Sequence, residues 1–300
     1  MKFMITALLL LAACQAPAST SKNPVAEVPP PVVAMQARAN TNAWTTLPPT
    51  PSLPPGGKQG FVQADGAKIF YARYGQGSPV ILLHGGLANA NYWGNQIPAL
   101  ARQHDVIAID LRGHGRSTIA AAPMSYNLIA ADVLAVMDAL GIRRAAIVGW
   151  SDGAIAGLSL AMKHPDRVER LFAFGANYDL RGLIPNGSHT DVFARYTART
   201  AGEYRSLSPH PDQYQNLVQR MTRMWTTEPH FSAADLAGIR IPVAIADGDR
   251  DEIIKAQHTR DMATAIPSST LIIENGVSHF AVLQNPDQFN ADLLRFLAQR

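Results

Sequence analysis

Hydrophobic and polar positions along residues 60–300 follow two alternating patterns. Short, continuously apolar runs typical of buried parallel strands alternate with longer segments whose apolar residues recur at helical spacing. The apolar runs predict strands at residues 79–83, 105–110, 145–149, 168–174, 241–246 and 270–273. Helices are predicted at residues 125–140, directly after residue 151, near residues 255–265 and from residue 286. This alternation favours a parallel sheet that is covered by helices on both faces.

Two segments depart from the alternation. Residues 61–74 read as two strands around Asp65-Gly66 and are expected to form an antiparallel edge of the sheet. Residues 175–240 contain no convincing strand, but apolar side chains at helical spacing predict one helix around residues 214–225 and another near Phe193 and Tyr196. An insertion of this kind predicts a helical cap at about residues 177–238, over the carboxyl ends of the strands. Most of its apolar side chains are expected to fasten the cap to the sheet, and others to line an adaptable apolar pocket.

The start of the chain has the pattern of a secretory signal. Lys2 is the only charged side chain before Cys14, and the apolar core at residues 8–11 is too short to span a bilayer. The sequence Leu-Ala-Ala-Cys at residues 11–14 resembles the lipobox of bacterial lipoproteins, in which the leader is cut before the cysteine and the thiol carries lipid. The alternative is an ordinary signal peptide with an incidental cysteine. The residue after the cysteine is Gln15 and not an aspartate. This resembles the sorting signal that sends such lipoproteins to the outer membrane.

Residues 15–58 are predicted to be a disordered tether. They contain ten of the 21 prolines and show no hydrophobic period. The chain has 26 basic and 23 acidic residues, and four basic residues and one acid lie before position 59, so the rest carries 22 of each. This neutral remainder indicates no nucleic-acid partner. Cys14 is the only cysteine, which excludes an internal disulfide and thiolate metal sites in the mature chain.

Residues 145–153, AAIVGWSDG, predict a strand, a sharp turn and a helix. In a G-x-S-x-G turn of this kind the serine adopts a strained backbone that lifts its hydroxyl above the sheet. Ser151 is therefore a candidate nucleophile. The alternative is a serine in an ordinary strand-to-helix turn.

Four motifs in order along residues 60–300 resemble the α/β-hydrolase superfamily, of the esterase, lactonase and haloperoxidase-like kind. They are the oxyanion turn at residues 84–86, the loop at residues 110–117, the nucleophile elbow at residues 149–153, and the late sequence Ser-His-Phe at residues 278–280. The resemblance implies an α/β fold with a mostly parallel eight-stranded sheet, flanking helices and a helical cap. Three regions are therefore predicted: the signal peptide at 1–14, the tether at 15–58, and, by this resemblance, a hydrolase domain at 59–300.

A serine nucleophile requires a general base, since its hydroxyl is barely nucleophilic at neutral pH. The resemblance points to His279, which follows the last predicted strand. His84 and His114 belong to glycine turns, and His164 to a helix end. The other histidines lack a motif and are expected on the surface or in loops: His104, His189, His210, His230 and His258.

The resemblance places the third catalytic residue after the strand at residues 241–246. The family pattern Gly-x-x-Asp indicates Asp251 as the carboxylate that orients the imidazole, with Asp249 as the alternative. Asp247 is then expected at the strand end and Glu252 as a solvated neighbour.

The resemblance also implies an oxyanion hole, formed by the backbone N–H groups of Gly86 and Asp152. The Asp152 carboxylate is expected either to disfavour anionic substrates or simply to cap the helix that begins there.

The sequence thus predicts a lipid-anchored serine hydrolase of the bacterial envelope that cleaves carboxylic esters through an acyl-enzyme. Lactonase, C–C bond hydrolase and perhydrolase activities are alternatives on the same residues. A protein of another class, an envelope binding protein that lost catalysis, is the remaining alternative. Small-molecule esters or lactones are the expected partners, with the membrane reached through lipid on Cys14. No cofactor is expected, because neither a dinucleotide fingerprint nor clustered metal ligands appear. No motif residue precedes Gly60, so a chain starting there is expected to keep its activity.

Overall fold

The computed structural model describes residues 42–299, so the predictions for the signal peptide, for Cys14 and for Gln15 lie outside the described residues. Eight strands in this part of the chain form one sheet in the order β1-β2-β4-β3-β5-β6-β7-β8. The strands are β1 (Lys58–Ala64), β2 (Ala67–Gly75), β3 (Ser78–Leu83), β4 (His104–Ile109), β5 (Ala145–Trp150), β6 (Val168–Phe174), β7 (Val243–Gly248) and β8 (Ser269–Glu274). Strand β2 runs antiparallel to β1 and β4, and all other neighbours are parallel. The predicted mostly parallel sheet with an antiparallel edge is therefore confirmed.

Helices cover both faces of this sheet. They are α1 (Ile97–Leu100), α2 (Tyr126–Ala139), α3 (Asp152–Lys163), α4 (Asp191–Leu207), α5 (Tyr214–Trp225), α6 (Ala233–Ala237), α7 (Ala256–Ala265), α8 (Ala281–Gln284) and α9 (Pro286–Leu297). Successive residues of a strand point to opposite faces. Ile147 of β5 accordingly packs in the core shared with α2, α3 and α7, and Val148 packs in the core shared with α9. None of the helices in residues 42–299 is long and apolar enough to cross a bilayer.

The parallel strands bring all the predicted catalytic segments to one edge of the sheet. The carboxyl ends of β3, β5, β7 and β8 lead into the segments that contain Gly86, Ser151, Asp251 and His279, respectively. Loops at the carboxyl ends of such strands are the usual place for a ligand site. The fold therefore positions residues from four distant parts of the sequence side by side.

The chain leaves the sheet between β6 and β7 and forms α4, α5 and α6 there. The two helices predicted in this segment, around Tyr196 and over residues 214–225, are confirmed by α4 and α5. Buried side chains of α5, including Leu217 and Met221, join the core that lies against the sheet. These apolar contacts fasten the inserted helices to the sheet, as expected for most of them.

Residues 42–57, which we call the N-terminal strap, contradict the part that they cover of the disordered tether predicted over residues 15–58, whereas residues 15–41 lie outside the described residues. Ala43 is buried, and Leu47 and Leu53 pack against the core. The strap carbonyls accept hydrogen bonds from side chains of the body, for example from Gln284 Nε2 to Thr46 O at 2.9 Å. Extended proline-rich backbone leaves its carbonyl groups free for such bonds. The folded domain therefore begins before residue 59, and a chain starting at Gly60 would lack all of these contacts.

Candidate active site

Ser151 alone forms the turn between β5, which ends at Trp150, and α3, which begins at Asp152. Its backbone has φ 54° and ψ −120°, a conformation that residues other than glycine rarely adopt. The Ser151 N–H donates to the Phe174 carbonyl at 2.8 Å, which ties the turn to β6. Strained residues of this kind cluster at functional sites, where the surrounding structure holds them.

The two glycines of the elbow allow α3 to start directly against the sheet. A Cβ atom at Gly149 would overlap the backbone of Ala154, and one at Gly153 would overlap the carbonyl of Leu83. Both positions therefore exclude any side chain. The G-x-S-x-G spacing is required by this close approach of helix and strands.

His279 lies between Ser151 and Asp251. Its Nε2 is 2.9 Å from Ser151 Oγ, and its Nδ1 is 2.7 Å from Asp251 Oδ2. The His279 and Asp251 side chains are only 4% and 2% exposed. The second Asp251 oxygen accepts from the backbone N–H groups of Ile253 and Ile254, at 2.6 and 2.8 Å. The structure thus brings the three residues into one continuous chain of hydrogen bonds.

Asp249, the alternative acid, lies elsewhere in the same turn. Its Oδ1 accepts from the Gly276 N–H at 2.7 Å, and its carboxylate lies 3.7 Å from the Arg250 guanidinium. These contacts orient the loop that precedes His279, whereas Asp251 is the carboxylate that contacts the imidazole.

Charges around His279 and Asp251 favour an ion-paired state during proton transfer. Burial by itself would lower the pKa of His279, but the carboxylates of Asp251, Glu252 and Asp152 outweigh it and raise the pKa above 6.5. Burial by itself would raise the pKa of Asp251. The nearby His279 and the hydrogen bonds that the Asp251 carboxylate accepts instead bring that pKa below its ordinary value. Asp251 therefore stays ionised, and above the raised pKa the neutral imidazole leaves Nε2 free to accept the Ser151 proton.

The acid limb of the kcat/KM profile is expected to lie above pH 6.5, because only neutral His279 can accept that proton. Activity should fall as the pH decreases through the raised pKa. Glu252 Oε2 accepts from the His279 N–H at 3.2 Å, and a glutamine oxygen can take its place. Glu252→Gln removes one negative neighbour and should move the acid limb to lower pH. The pH–rate profile of the variant checks this. The matched control is Glu169→Gln, at the amino end of β6 and therefore at the edge of the sheet away from His279. An acid limb that stays in place would contradict this assignment.

The predicted oxyanion donors are the N–H group of Gly86, in the turn after β3, and that of Asp152, in the elbow. Within residues 42–299 neither N–H donates a hydrogen bond. That of Asp152 is the first of α3, where a helix presents free donors and the positive end of its dipole. A Cβ atom at Gly86 would overlap the Asp152 carboxylate and lie 2.5 Å from Trp225, so the turn passes very close to α3 and α5.

His84 holds the oxyanion turn in place. Its Nε2 accepts from the Leu111 N–H at 3.0 Å, and its Nδ1 lies 2.7 Å from the Gly85 carbonyl. Burial lowers the pKa of His84 to about 4, so the ring is neutral and can accept and donate at once. His84 therefore has a structural role in the glycine turn, as expected from the sequence.

The Asp152 side chain does not cap α3. Its oxygens accept from Tyr126 Oη at 2.7 Å and from Trp225 Nε1 at 2.9 Å, two residues far away in the sequence. Burial raises the pKa of Asp152, whereas both donors partly oppose that rise. The carboxylate therefore joins α2, α3 and α5 directly beside the candidate nucleophile.

A cavity of about 500 Å³ opens above Ser151, within the usual range for small-molecule sites. Apolar side chains from the strand-end loops, α3 and the cap form most of its wall: Leu87, Ile155, Leu183, Ile184, Phe193, Val218, Ile253 and Ile254. Its acidic groups are Asp152 and Glu228, and no lysine or arginine is among the described residues that line it. Glu228 Oε2 accepts from the Tyr126 N–H at 3.0 Å.

Asp247 and His258 are two buried polar residues. Asp247 lies at the carboxyl end of β7, as expected, and accepts from Thr259 Oγ1 at 2.6 Å; burial, together with nearby Asp251, raises its pKa well above the ordinary range. His258, expected on the surface, lies buried on α7, where it stacks on Tyr178 at 4.0 Å. Neither side chain carries a sequence motif, so only the packing of α7 against its neighbours could have indicated them. In the part of the chain that the structure describes, no group of three His, Cys, Asp or Glu side chains is arranged to hold a metal ion.

Comparison with known proteins gives consistent relatives over nearly the whole described chain. A family model described as alpha/beta hydrolase fold matches residues 78–224. The chain is 31% identical over 270 residues to a non-heme haloperoxidase of Rhodococcus erythropolis, covering 79% of this chain and 98% of that protein. It is 27% identical over 278 residues to a 2-hydroxy-6-oxo-6-(2'-aminophenyl)hexa-2,4-dienoic acid hydrolase of Metapseudomonas resinovorans, covering 80% and 91%. The solved structure of Est816, an N-acyl homoserine lactone degrading enzyme, matches with a TM-score of 0.64 and 29% identity over 79% of this chain and 99% of that one.

Proposed function

Because this chain is a hydrolase that belongs to the α/β-hydrolase fold family, we propose that it cleaves carboxylic esters through an acyl-enzyme intermediate. The observation that carries the proposal is the unbroken series of hydrogen bonds from Ser151 through His279 to Asp251. A serine nucleophile that is hydrogen-bonded to a histidine base, which is in turn hydrogen-bonded to a carboxylate, is the recurring arrangement for acyl transfer.

The reaction starts when Ser151 Oγ attacks the ester carbonyl and His279 Nε2 takes its proton. The carbonyl oxygen becomes negative, and the N–H groups of Gly86 and Asp152 stabilise it, each worth roughly 100- to 1000-fold in rate. His279 then gives the proton to the leaving alcohol as the C–O bond breaks. Water attacks the acyl-enzyme with His279 again as the base, which releases the acid and restores the serine.

A lactone is the second candidate substrate. Hydrolysis of a cyclic ester needs the same groups, and the alcohol simply stays joined to the acyl part. The 29% identity to an N-acyl homoserine lactone degrading enzyme favours this candidate. Attack on a C–C bond or formation of a peracid would use the same serine and histidine, so these activities stay alternatives. A binding protein without catalysis would need no such set of contacts, and we therefore place it last.

The charges of the cavity support substrates without a negative group. Asp152 and Glu228 line the cavity, and like charges placed together in a site of low polarity cost affinity. An uncharged or cationic ester therefore fits the cavity better than an anionic one of equal size.

A panel of p-nitrophenyl esters and lactones, graded by acyl length and by charge, tests the function and the substrate class together. Neutral members should be cleaved, and anionic members of equal size should have kcat/KM roughly 100-fold lower. Glu228→Gln should narrow that ratio, whereas Asp212→Asn, at an exposed position of the cap outside the cavity, should leave it unchanged. Lack of activity on every member, with no labelling of Ser151 by a fluorophosphonate, would contradict the function. Equal rates for neutral and anionic members would contradict the substrate class alone.

We further propose that Cys14 is acylated and holds the protein in the outer membrane. Each CH₂ group of a lipid chain contributes about 0.8 kcal/mol to membrane binding, far more than a neutral catalytic domain gains from its surface charge. Membrane attachment should therefore depend wholly on Cys14. Fractionation of cells that express the wild type or Cys14→Ser checks this, with the variant expected in the soluble fraction. A wild-type protein found wholly soluble would contradict the anchor.

A further inference from the structure

The turn after β3 is strained next to the predicted oxyanion donor. Leu87 has φ 65°, in the left-handed region that residues other than glycine rarely enter. The peptide group that joins Gly86 to Leu87 is held by one hydrogen bond from the cap, because Tyr196 Oη donates to the Gly86 carbonyl. This contact joins residues that are 110 positions apart. A side chain of the cap thus fixes the backbone on which the oxyanion N–H of Gly86 depends.

Tyr196 also lies against the other two catalytic segments. Its ring centroid is 6.1 Å from that of Trp150, which precedes Ser151, and 4.9 Å from that of Phe280, which follows His279. The side chain is 3% exposed. Burial raises the pKa of Tyr196 well above its ordinary value, so the hydroxyl keeps the proton that it donates to Gly86.

The N-terminal strap fixes the helix that carries Tyr196. Arg199, one turn further along α4, donates to the carbonyls of Leu47, at 2.8 Å, and of Pro48, at 2.5 Å. Arg195 on the same helix donates to the Thr45 carbonyl at 2.8 Å. The strap is therefore bound to both turns of α4 that flank Tyr196.

The opposite side of the strap holds the loop of the general base. The Trp44 N–H donates to the Gly276 carbonyl at 3.1 Å, and Gln284 Nε2 donates to the Thr46 carbonyl. Gln284 Oε1 in turn accepts from the Ser278 N–H at 2.7 Å, next to His279. The strap thus connects the cap helix to the loop of His279.

We propose that Tyr196 is a positioning residue for the oxyanion turn, and that the N-terminal strap keeps Tyr196 in place through Arg199. This inference rests on the proposed function, since it assigns a part in the stabilisation of the oxyanion. A sequence segment outside the family's motifs thereby belongs to the catalytic apparatus. The strap acts on the rate of the chemical step through α4, without touching the substrate.

Tyr196→Phe tests the first part, because it removes the hydroxyl and keeps the ring. If the turn shifts and displaces the Gly86 N–H by about 1 Å, the loss can reach roughly 100-fold, so kcat should fall by about 10- to 100-fold with KM unchanged. A trifluoromethyl ketone should lose affinity by the same factor, because its carbonyl carbon bonds to Ser151 Oγ, the serine proton passes to His279 Nε2, and the ketone oxygen becomes an oxyanion. Tyr204→Phe, a buried tyrosine of the same helix, is the matched control and should change neither value. Unchanged kcat and inhibitor affinity in Tyr196→Phe would overturn the inference.

Arg199→Met in the full chain tests whether the strap keeps Tyr196 in place. It should lower kcat and inhibitor affinity in the same direction, Arg199→Lys should restore part of the loss, and exposed Arg205→Met should have no effect. Combined with Tyr196→Phe, Arg199→Met should add little, since both act on the same turn. A fully additive loss in the double variant, or a lower melting temperature without loss of inhibitor affinity, would overturn the part assigned to the strap. A wild type that neither cleaves esters nor reacts with a fluorophosphonate would instead overturn the proposed function, and this inference with it.

Discussion

Ser151→Ala and His279→Ala are each expected to lower kcat on any ester by about 10⁴- to 10⁶-fold, because nucleophile and base act as one unit. Their hydrogen bond is 2.9 Å long, and neither group can start the reaction without the other. Binding of the ester should survive, since the apolar cavity wall stays in place. Steady-state kinetics on the best ester of the panel, with active-site titration of the wild type, measures the loss.

The double variant should be scarcely less active than either single variant, since the residual rate comes from the oxyanion N–H groups and from binding. Additive losses would mean that Ser151 and His279 do not work together. The acids provide a matched comparison: Asp251→Asn should cost about 10⁴-fold, because an amide stabilises the wrong tautomer of His279. Asp249→Asn should be nearly silent, since Asp249 contacts Gly276 and Arg250. The reverse ranking would move the role to Asp249.

The fold was predictable because its strands are buried on both faces. A residue such as Ile147 and its neighbour Val148 pack on opposite sides of β5, so both must be apolar, and a continuous apolar run results. The candidate site was predictable for a different reason. Gly149 and Gly153 are imposed by close contacts between elements, which leaves a short pattern in the sequence.

The N-terminal strap could not be predicted, because its bonds to the body use backbone carbonyls that every residue has. The donors, such as Arg199 and Gln284, are ordinary surface residue types, and nothing in the sequence pairs them with Leu47 or Thr46. Proline content predicted a disordered tether, but whether such a segment is free or bound depends on donors located elsewhere.

The partners of Asp152 were equally beyond the sequence. Tyr126 lies 26 positions before it and Trp225 lies 73 positions after it, and only the packing of α2 and α5 over the elbow brings them together. The same holds for Tyr196, whose helix was predicted but whose bond to Gly86 depends on how the cap lies on the sheet. Residues of a site that act through side-chain contacts across elements leave no local spacing to detect.

Arg112→Met is expected to lower the free energy of unfolding by about 3 to 5 kcal/mol, the usual cost of breaking a buried ion pair. Arg112 lies in the loop at residues 110–117 and its side chain is fully buried. Its guanidinium donates to both carboxylate oxygens of Asp132, with Nε 2.8 Å from Oδ2, and to the carbonyls of Ala64 and Asp65 at 3.1 Å. Methionine fills part of the space but leaves a buried carboxyl group and two carbonyls without a donor. Urea denaturation of wild type and variant measures the difference.

The double variant Arg112→Met with Asp132→Leu separates the contribution of the ion pair from that of the hydrogen bonds to the two backbone carbonyls. It removes the carboxyl group that the single variant leaves without a partner, so part of the lost stability should return. The return should be incomplete, because the carbonyls of Ala64 and Asp65 still lack their donor. Exposed Arg143→Met is the control and should stay within about 0.5 kcal/mol of the wild type. If Arg112→Met also stays within that range, or if the double variant is less stable than the single one, Arg112 does not hold β1 and α2 together as the structure indicates.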